Sequence, residues 1–181
     1  MQEEVIKEEI GDLISLALAK KHLRVEDDYT DDDELIALYI TAAENTIENF
    51  IERPLKTQTT IYTTNAFQDF VFERSAFNAE VEKIQYWESL ESEPTELPKE
   101  NYSVTKQNSE TYKVAFKNVP ENVVKVCVYI TQGYDDKTLP AEIKHALLLL
   151  LTEAYDKRDN IPTVINTKAK SLVLPYRKWL I

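Results

Sequence analysis

Catalysis and metal binding need nucleophiles, bases or ligands, and this chain offers few of them. Its histidines are His22 and His145, and its one cysteine is Cys127. A single thiol excludes an intrachain disulfide and a cysteine-based zinc cluster. A Ser-His-acid or Cys-His grouping is built from residues distant in sequence, so spacing alone leaves it open. No serine or cysteine stands in the glycine-flanked turn that strand–helix hydrolases use for their nucleophile. His22 and His145 each fall on a helical stretch near lysines and read as surface or boundary residues. Only Gly11 and Gly133 are glycines, which excludes a Walker loop and a dinucleotide fingerprint. No catalytic residue, metal ligand or cofactor-binding residue is assigned, and no cofactor is expected.

Carboxylates are the remaining raw material. They are densest in Glu26-Asp27-Asp28-Tyr29-Thr30-Asp31-Asp32-Asp33-Glu34. A calcium loop of the EF-hand type needs a glycine at its sixth position and a glutamate at its twelfth. This stretch has no glycine. The simpler reading is a helix start: Thr30 or Asp31 caps the helix, and the following carboxylates sit on its positive end. The formal net charge is −11. That opposes a phosphate-binding surface, since nucleic-acid affinity comes mainly from lysine and arginine. It also opposes a polybasic membrane contact. Carboxylate pairs in so acidic a chain are too common to identify a site.

The element that must position the rest runs from Leu139 to Arg158. Pro140 stands where a first helical residue tolerates proline. Glu142 lies in the first turn, and Lys157 and Arg158 in the last, both favourable to the helix dipole. Ile143, Ala146, Leu147, Leu148, Leu150, Leu151, Ala154 and Tyr155 span an arc of roughly 200° at the helical period. So wide a face must be covered on two sides. The apolar run Ala146 to Leu151 is far shorter than the ~20 residues that span a bilayer.

The remaining chain supplies candidate covers. Residues 1–12 read as a loosely attached acidic leader or a short helix. They lack an apolar core, so they are no signal peptide, and the chain is expected to stay in a cytoplasm. Ser15 reads as the N-cap of a short helix ending near Leu23-Arg24-Val25. A second helix runs to about Ile51, with Ile36, Ile40, Ala43, Ile47 and Phe50 forming its seam. Glu44, Asn45, Glu48 and Glu52 are assigned to its opposite side. Pro54 stops it.

From Leu55 the period changes to two. Runs at 57–64, 67–72, 81–87, 102–105, 111–116 and 123–132 read as about six strands of one antiparallel sheet. Within 81–87, Val81, Lys83, Gln85 and Trp87 are expected on one face, with Glu82, Ile84 and Tyr86 on the other. Cys127 reads as a packed strand thiol. Residues 89–100 read as a solvated loop, and 159–167 as a linker. Leu172, Val173, Leu174, Tyr176, Trp179 and Leu180 form an apolar tail that must dock on its own chain or a neighbour. The expected fold class is α+β: a small helical bundle from 13–55 and 139–181, with an antiparallel sheet inserted at 56–133, in a single domain.

Three segments carry a family resemblance. The first is Ile14-Ser15-Leu16-Ala17 through Lys20-Lys21-His22-Leu23-Arg24-Val25, then the acidic cap and Leu35-Ile36 to Ala42-Ala43. The second is Gln132-Gly133-Tyr134, Leu139-Pro140 and Ile143-Lys144-His145-Ala146 through Ala154-Tyr155 and Arg158. The third is Leu172-Val173-Leu174-Pro175-Tyr176-Arg177. In this order and spacing they resemble the tailed-phage head–tail connector family, also called head-completion or DNA-packaging adaptor proteins, in its longer branch with a β insertion. The leader and the loop 89–100 depart from the pattern.

The resemblance implies a ring of about twelve subunits, closed through heterologous interfaces. The ring would stack on the portal protein, extend the DNA channel and offer a surface to tail or stopper proteins. DNA would pass without specific binding, no membrane would be involved, and no reaction is implied. The place would be the head–tail junction of a virion, with the host cytoplasm as the site of assembly or of expression from a prophage. Arg24, Arg158 and Arg177 would be structural ion-pair or interface residues, with Tyr155, Leu174, Tyr176 and Trp179 beside them. Two other classes stay open: a cytoplasmic module that captures a protein partner at a sheet edge, and a hydrolase whose site one sequence does not reveal.

Overall fold

A computed structural model describes residues 2–7, 11–73, 79–107, 111–157 and 165–178. Arg158 and Trp179 therefore lie outside the described residues, as do most of the expected linker and the end of the tail. The chain divides into two compact units, one comprising Met1–Glu9 with Thr57–Gly133 and the other Ile10–Lys56 with Tyr134–Ile181. The architecture is α+β, with helices in the second unit and two antiparallel sheets in the first.

The sheet unit contains β1 (Gln2–Lys7), β2 (Gln58–Thr64), β3 (Phe70–Glu73), β4 (Glu80–Trp87), β5 (Thr95–Glu96), β6 (Tyr102–Lys106), β7 (Thr111–Phe116) and β8 (Lys125–Gln132). They form a five-stranded sheet in the order β1-β2-β8-β4-β5 and a three-stranded sheet in the order β3-β7-β6. The expectation of one sheet is thus corrected to two. The physical reason lies in the aromatic strands. Phe70, Phe72 and Val114 of the small sheet share one buried cluster with Ile84, Val126, Val128 and Ile130 of the large one. Facing inner sides of two sheets bury a core that neither could bury alone. Ring contacts stitch that core, with Tyr62 5.8 Å from Phe70 and Phe67 5.2 Å from Phe116 between centroids.

Three local differences have equally plain causes. Residues 2–7 are a strand, not a loose leader or a helix, and pair antiparallel with β2 from Gln2↔Thr63 to Lys7↔Gln58. The pairing satisfies backbone groups that β2 would otherwise leave open, and glutamates suit an edge strand. In 89–100, Thr95–Glu96 pairs with Gln85–Tyr86, and Leu97 is 2% exposed with its N–H donating to Ile84 O at 2.8 Å. One buried leucine among glutamates and prolines thus turns part of the expected loop into a sheet edge. In β4 the register shifts between Val81 and Lys83. This bulge at Glu82 moves Val81 to the Ile84 and Tyr86 side, so the simple alternation fails there.

The helical unit contains α1 (Leu16–Leu23), α2 (Asp33–Ile51), α3 (Ala141–Asp156) and α4 (Thr167–Val173). Ser15 caps α1, its hydroxyl accepting from Leu18 N–H at 3.3 Å. The α2 N-cap is Asp32, not Thr30 or Asp31, and its side chain makes no cap bond. Its carboxylate is instead taken by Tyr155, whose hydroxyl donates to Oδ2 at 2.6 Å. Glu52 ends α2 in the left-handed region at φ 56°, with its N–H on Glu48 O. Pro140 stands one residue before the first residue of α3.

The wide face of α3 is covered as its arc requires. Ile143, Ala146, Leu147, Leu150, Leu151 and Ala154 are buried in one cluster with Ile36, Ile40, Ile47 and Ile51 of α2 and with Ala169 and Val173 of α4. Both α4 residues are 0% exposed. The second cover, through residue 178, therefore comes from the same chain. No helix among the described residues is long and apolar enough to cross a membrane.

Candidate assembly surfaces

The helical unit is organised by buried charges. Lys20 is 4% exposed. Its ammonium donates to Asp27 O at 3.0 Å and Tyr29 O at 2.7 Å, and pairs with Asp33 Oδ1 at 3.0 Å. The acidic loop 26–33 thus wraps a lysine of its own chain. Among the described residues, no group of three or more candidate ligands is placed to hold a metal ion.

Glu44, expected on the polar side of α2, is 3% exposed. Its Oε1 accepts from Leu13 N–H at 2.8 Å, and its Oε2 meets Lys56 Nζ at 2.7 Å. Lys56 also reaches Asp12 Oδ1 at 3.3 Å. Burial pushes the Glu44 carboxyl above its ordinary value, against the opposing bond from Lys56. Burial pulls Lys56 down, but its bonds and charge contacts with Glu44 and Asp12 outweigh that and raise it. One side chain on α2 thus pins the approach to α1 and the exit from α2.

The sequence did carry a signal for both residues. Glu44 lies four after Ile40 and three before Ile47, so it belongs to the apolar seam by spacing. Lys20 lies four after Leu16 and three before Leu23. For Glu44, charge without that spacing points to solvent.

The candidate interface residues fall into two groups. Tyr155 is half-buried at the α3 end that meets Asp32. Arg24, exposed and left-handed at φ 60°, follows α1 and borders a shallow groove with Ala17, Leu18, Lys21, Val25 and Asp27. Leu174, Tyr176 and Arg177 gather at the other end of α2. The Tyr176 hydroxyl donates to Glu142 Oε2 at 3.1 Å, and burial, then that carboxylate, raises the phenol above its ordinary value. Arg177 Nη2 meets Glu52 Oε1 at 2.7 Å, and its guanidinium lies 5.2 Å from the centre of the Phe50 ring. Lys170 sits over the same ring at 5.7 Å. Leu174 is 37% exposed.

Cys127 is 3% exposed and lies 3.4 Å from Thr63 Oγ1. His22 Nε2 lies 2.9 Å from Thr152 Oγ1, joining α1 to α3. His145 is on the exposed side of α3.

The family described as phage gp6-like head-tail connector protein matches residues 13–176. No curated protein matches the sequence. Among solved structures, the fold is similar to a chain in the neck of an empty GTA particle computed with C6 symmetry, with TM-score 0.69 and 17% identity, covering 100% of this chain and 97% of the other. A chain in the virion of a native gene transfer agent particle gives TM-score 0.68 at 16% identity with the same coverage. A chain in the native GTA neck computed with C12 symmetry gives 0.66 at 16%, again covering 100% and 97%. At these identities the likeness is one of fold.

Proposed function

The chain belongs to the phage gp6-like head-tail connector protein family, a structural subunit of the head–tail junction, and from that premise we propose that it works as a closed ring. The ring holds about twelve copies related by heterologous contacts. One rim stacks on the portal protein, and the other offers a surface to tail or stopper proteins. DNA passes through the central channel without specific contacts. The subunit carries out no reaction; it acts by shape and by charge. It collects in the host cytoplasm before joining the particle.

The match across 13–176 is the observation that carries this reading. The similar neck chains support it, because their necks were computed with C6 and C12 symmetry. The net charge of −11 supports the passive channel, since few cations are available to hold phosphates. Arg24, Tyr155, Arg158, Leu174, Tyr176, Arg177 and Trp179 are the residues assigned to packing and subunit contacts.

Electron microscopy of the purified chain, alone at raised concentration and with its portal, tests the proposal. Rings with a central hole are the expected result. A chain that stays monomeric in both conditions overturns it.

A further inference from the structure

The helical unit has two oppositely charged ends, and each has an apolar centre. The first precedes α2. Residues 26–34 hold seven carboxylates in nine positions. Lys20 neutralises Asp33, and Lys21 and Arg24 flank Glu26 and Asp27 around the groove. Asp28, Asp31 and Glu34 are left exposed as a net negative rim. Tyr29 in the loop is 45% exposed, and Leu38, one turn after Glu34, is 53% exposed.

The second end follows α2. Residues 165–178 contain Lys168, Lys170, Arg177 and Lys178 and no acidic residue; Glu52 neutralises Arg177 and Glu142 lies at Tyr176, so the excess positive charge there rests on the three lysines. Lys170 and Arg177 are fixed there by the Phe50 ring, and Lys178 by its N–H on Ile51 O at 2.8 Å. Leu174 projects among them. Tyr29, Leu38 and Leu174 are the three exposed large hydrophobic residues of this unit among the described residues. All three fall in the two charged ends. An apolar centre within a polar rim is the usual anatomy of an interface.

The ends cannot serve each other within one subunit. The eighteen residue steps from Asp33 to Ile51 put roughly 27 Å between the acidic loop and the Leu174–Lys178 part of the basic segment, several Debye lengths at physiological salt. Two different, complementary surfaces on one rigid helix generate head-to-tail contact between copies. Resting on the ring reading above, we infer that the acidic end, with Tyr29 and Leu38, docks on the basic end, with Leu174, of the next copy of this chain. The occupant of each surface is a second copy.

Charge reversal tests this on the full chain. One variant carries Asp28→Lys with Asp31→Lys, and the other carries Lys168→Glu with Lys170→Glu. All four side chains are exposed, and circular dichroism with thermal melting checks that both variants fold. In sedimentation over a concentration series, each variant alone should self-associate about tenfold more weakly than the parent, or less. An equal mixture should recover association, because each reversed end then meets an opposite charge on the other variant. Zero-length carboxyl–amine cross-linking of mixed isotope-labelled and unlabelled parent chains should join residues 28–34 of one copy to 168–178 of another.

Parental association by both variants, a mixture that fails to recover while both are folded, or no such intermolecular cross-link overturns the docking assignment. If rings still form by microscopy in any of those cases, the ring reading survives and only this pairing of surfaces fails. If binding to DNA, rather than self-association, tracks the Lys168→Glu, Lys170→Glu variant, the basic end serves phosphates and the inference is wrong.

Discussion

The sheet unit and the helical unit bury different kinds of polar group. Among the described residues, the buried polar side chains of the sheet unit are Thr59, Thr60 and Gln132, all neutral, while those of the helical unit are Lys20, Glu44 and Arg53, all charged. Gln132 Nε2 donates to Thr60 Oγ1 at 3.1 Å, a bond between neighbouring strands. In a sheet, the ladder fixes each strand against the next, so a buried side-chain bond only reinforces a register already set. Helices satisfy their backbones internally and leave the loops between them unpinned. Lys20 and Glu44 pin those loops by seizing backbone groups up to thirty-one positions away. Ordering by charge is costly to break on one side only.

That contrast is broken most severely by ending the chain at residue 165. Ala169 and Val173 leave no surface exposed, and complete burial of a valine-sized side chain alone is worth about 1.5–3 kcal/mol. The helical unit should lose at least about 4 kcal/mol, once the half-buried Leu172 and Tyr176 are counted. Denaturant unfolding followed by far-UV circular dichroism reads the loss. A truncated chain with parental stability would show that α4 is not the second cover of α3.

Lys20→Met comes next. It keeps the aliphatic stem but removes the ammonium from Asp27 O, Tyr29 O and Asp33. Breaking one side of a buried pair costs about 3 kcal/mol or more. Cleavage by a protease that cuts in the 26–33 loop should accelerate in parallel. In the sheet unit, Thr60→Val removes a comparably buried but neutral partner, and about 1 kcal/mol is expected. Equal losses in the two variants would erase the distinction between the units.

What the sequence made legible follows the same division. The α3 face, the Ser15 cap and the strand at 123–132 were readable because period and cap chemistry are local. The second sheet was not, since strands do not declare their partners and the aromatic runs fit either arrangement. Leu97 was hidden by its polar neighbours, and the strand at 2–7 by its charge. Arg177 came only with the resemblance, as an ion-pair or interface residue, and its contact with Glu52 joins residues 125 positions apart, beyond the reach of local pattern. Glu44 falls on the wrong side when its charge is weighed above its position on an apolar seam.

The smallest effect sharpens the comparison most, because its sign is unusual. Glu44→Leu removes the acceptor of Leu13 N–H and should cost about 1–3 kcal/mol. Glu44→Gln retains an acceptor and removes a buried charge, while Lys56 keeps Asp12 and partial exposure. Its effect at neutral pH should stay within about 1 kcal/mol. The pH dependence separates it from an ordinary carboxylate substitution. Because burial raises the Glu44 pKa on folding, the folded state binds the proton more readily than the unfolded state. This group adds stability as pH falls through its folded pKa, and the gain is complete below the unfolded value of 4.5. Glu153 works the opposite way: its bond from Asn166, then Lys157, lowers its pKa. Its contribution is present above the unfolded value and is lost as pH falls through the lowered one. Relative to the parent, Glu44→Gln should therefore be most favourable at neutral pH and lose ground on acidification. A constant difference from neutral pH to pH 4, measured by urea unfolding, would mean that Glu44 stays as readily ionised in the fold as in the unfolded chain.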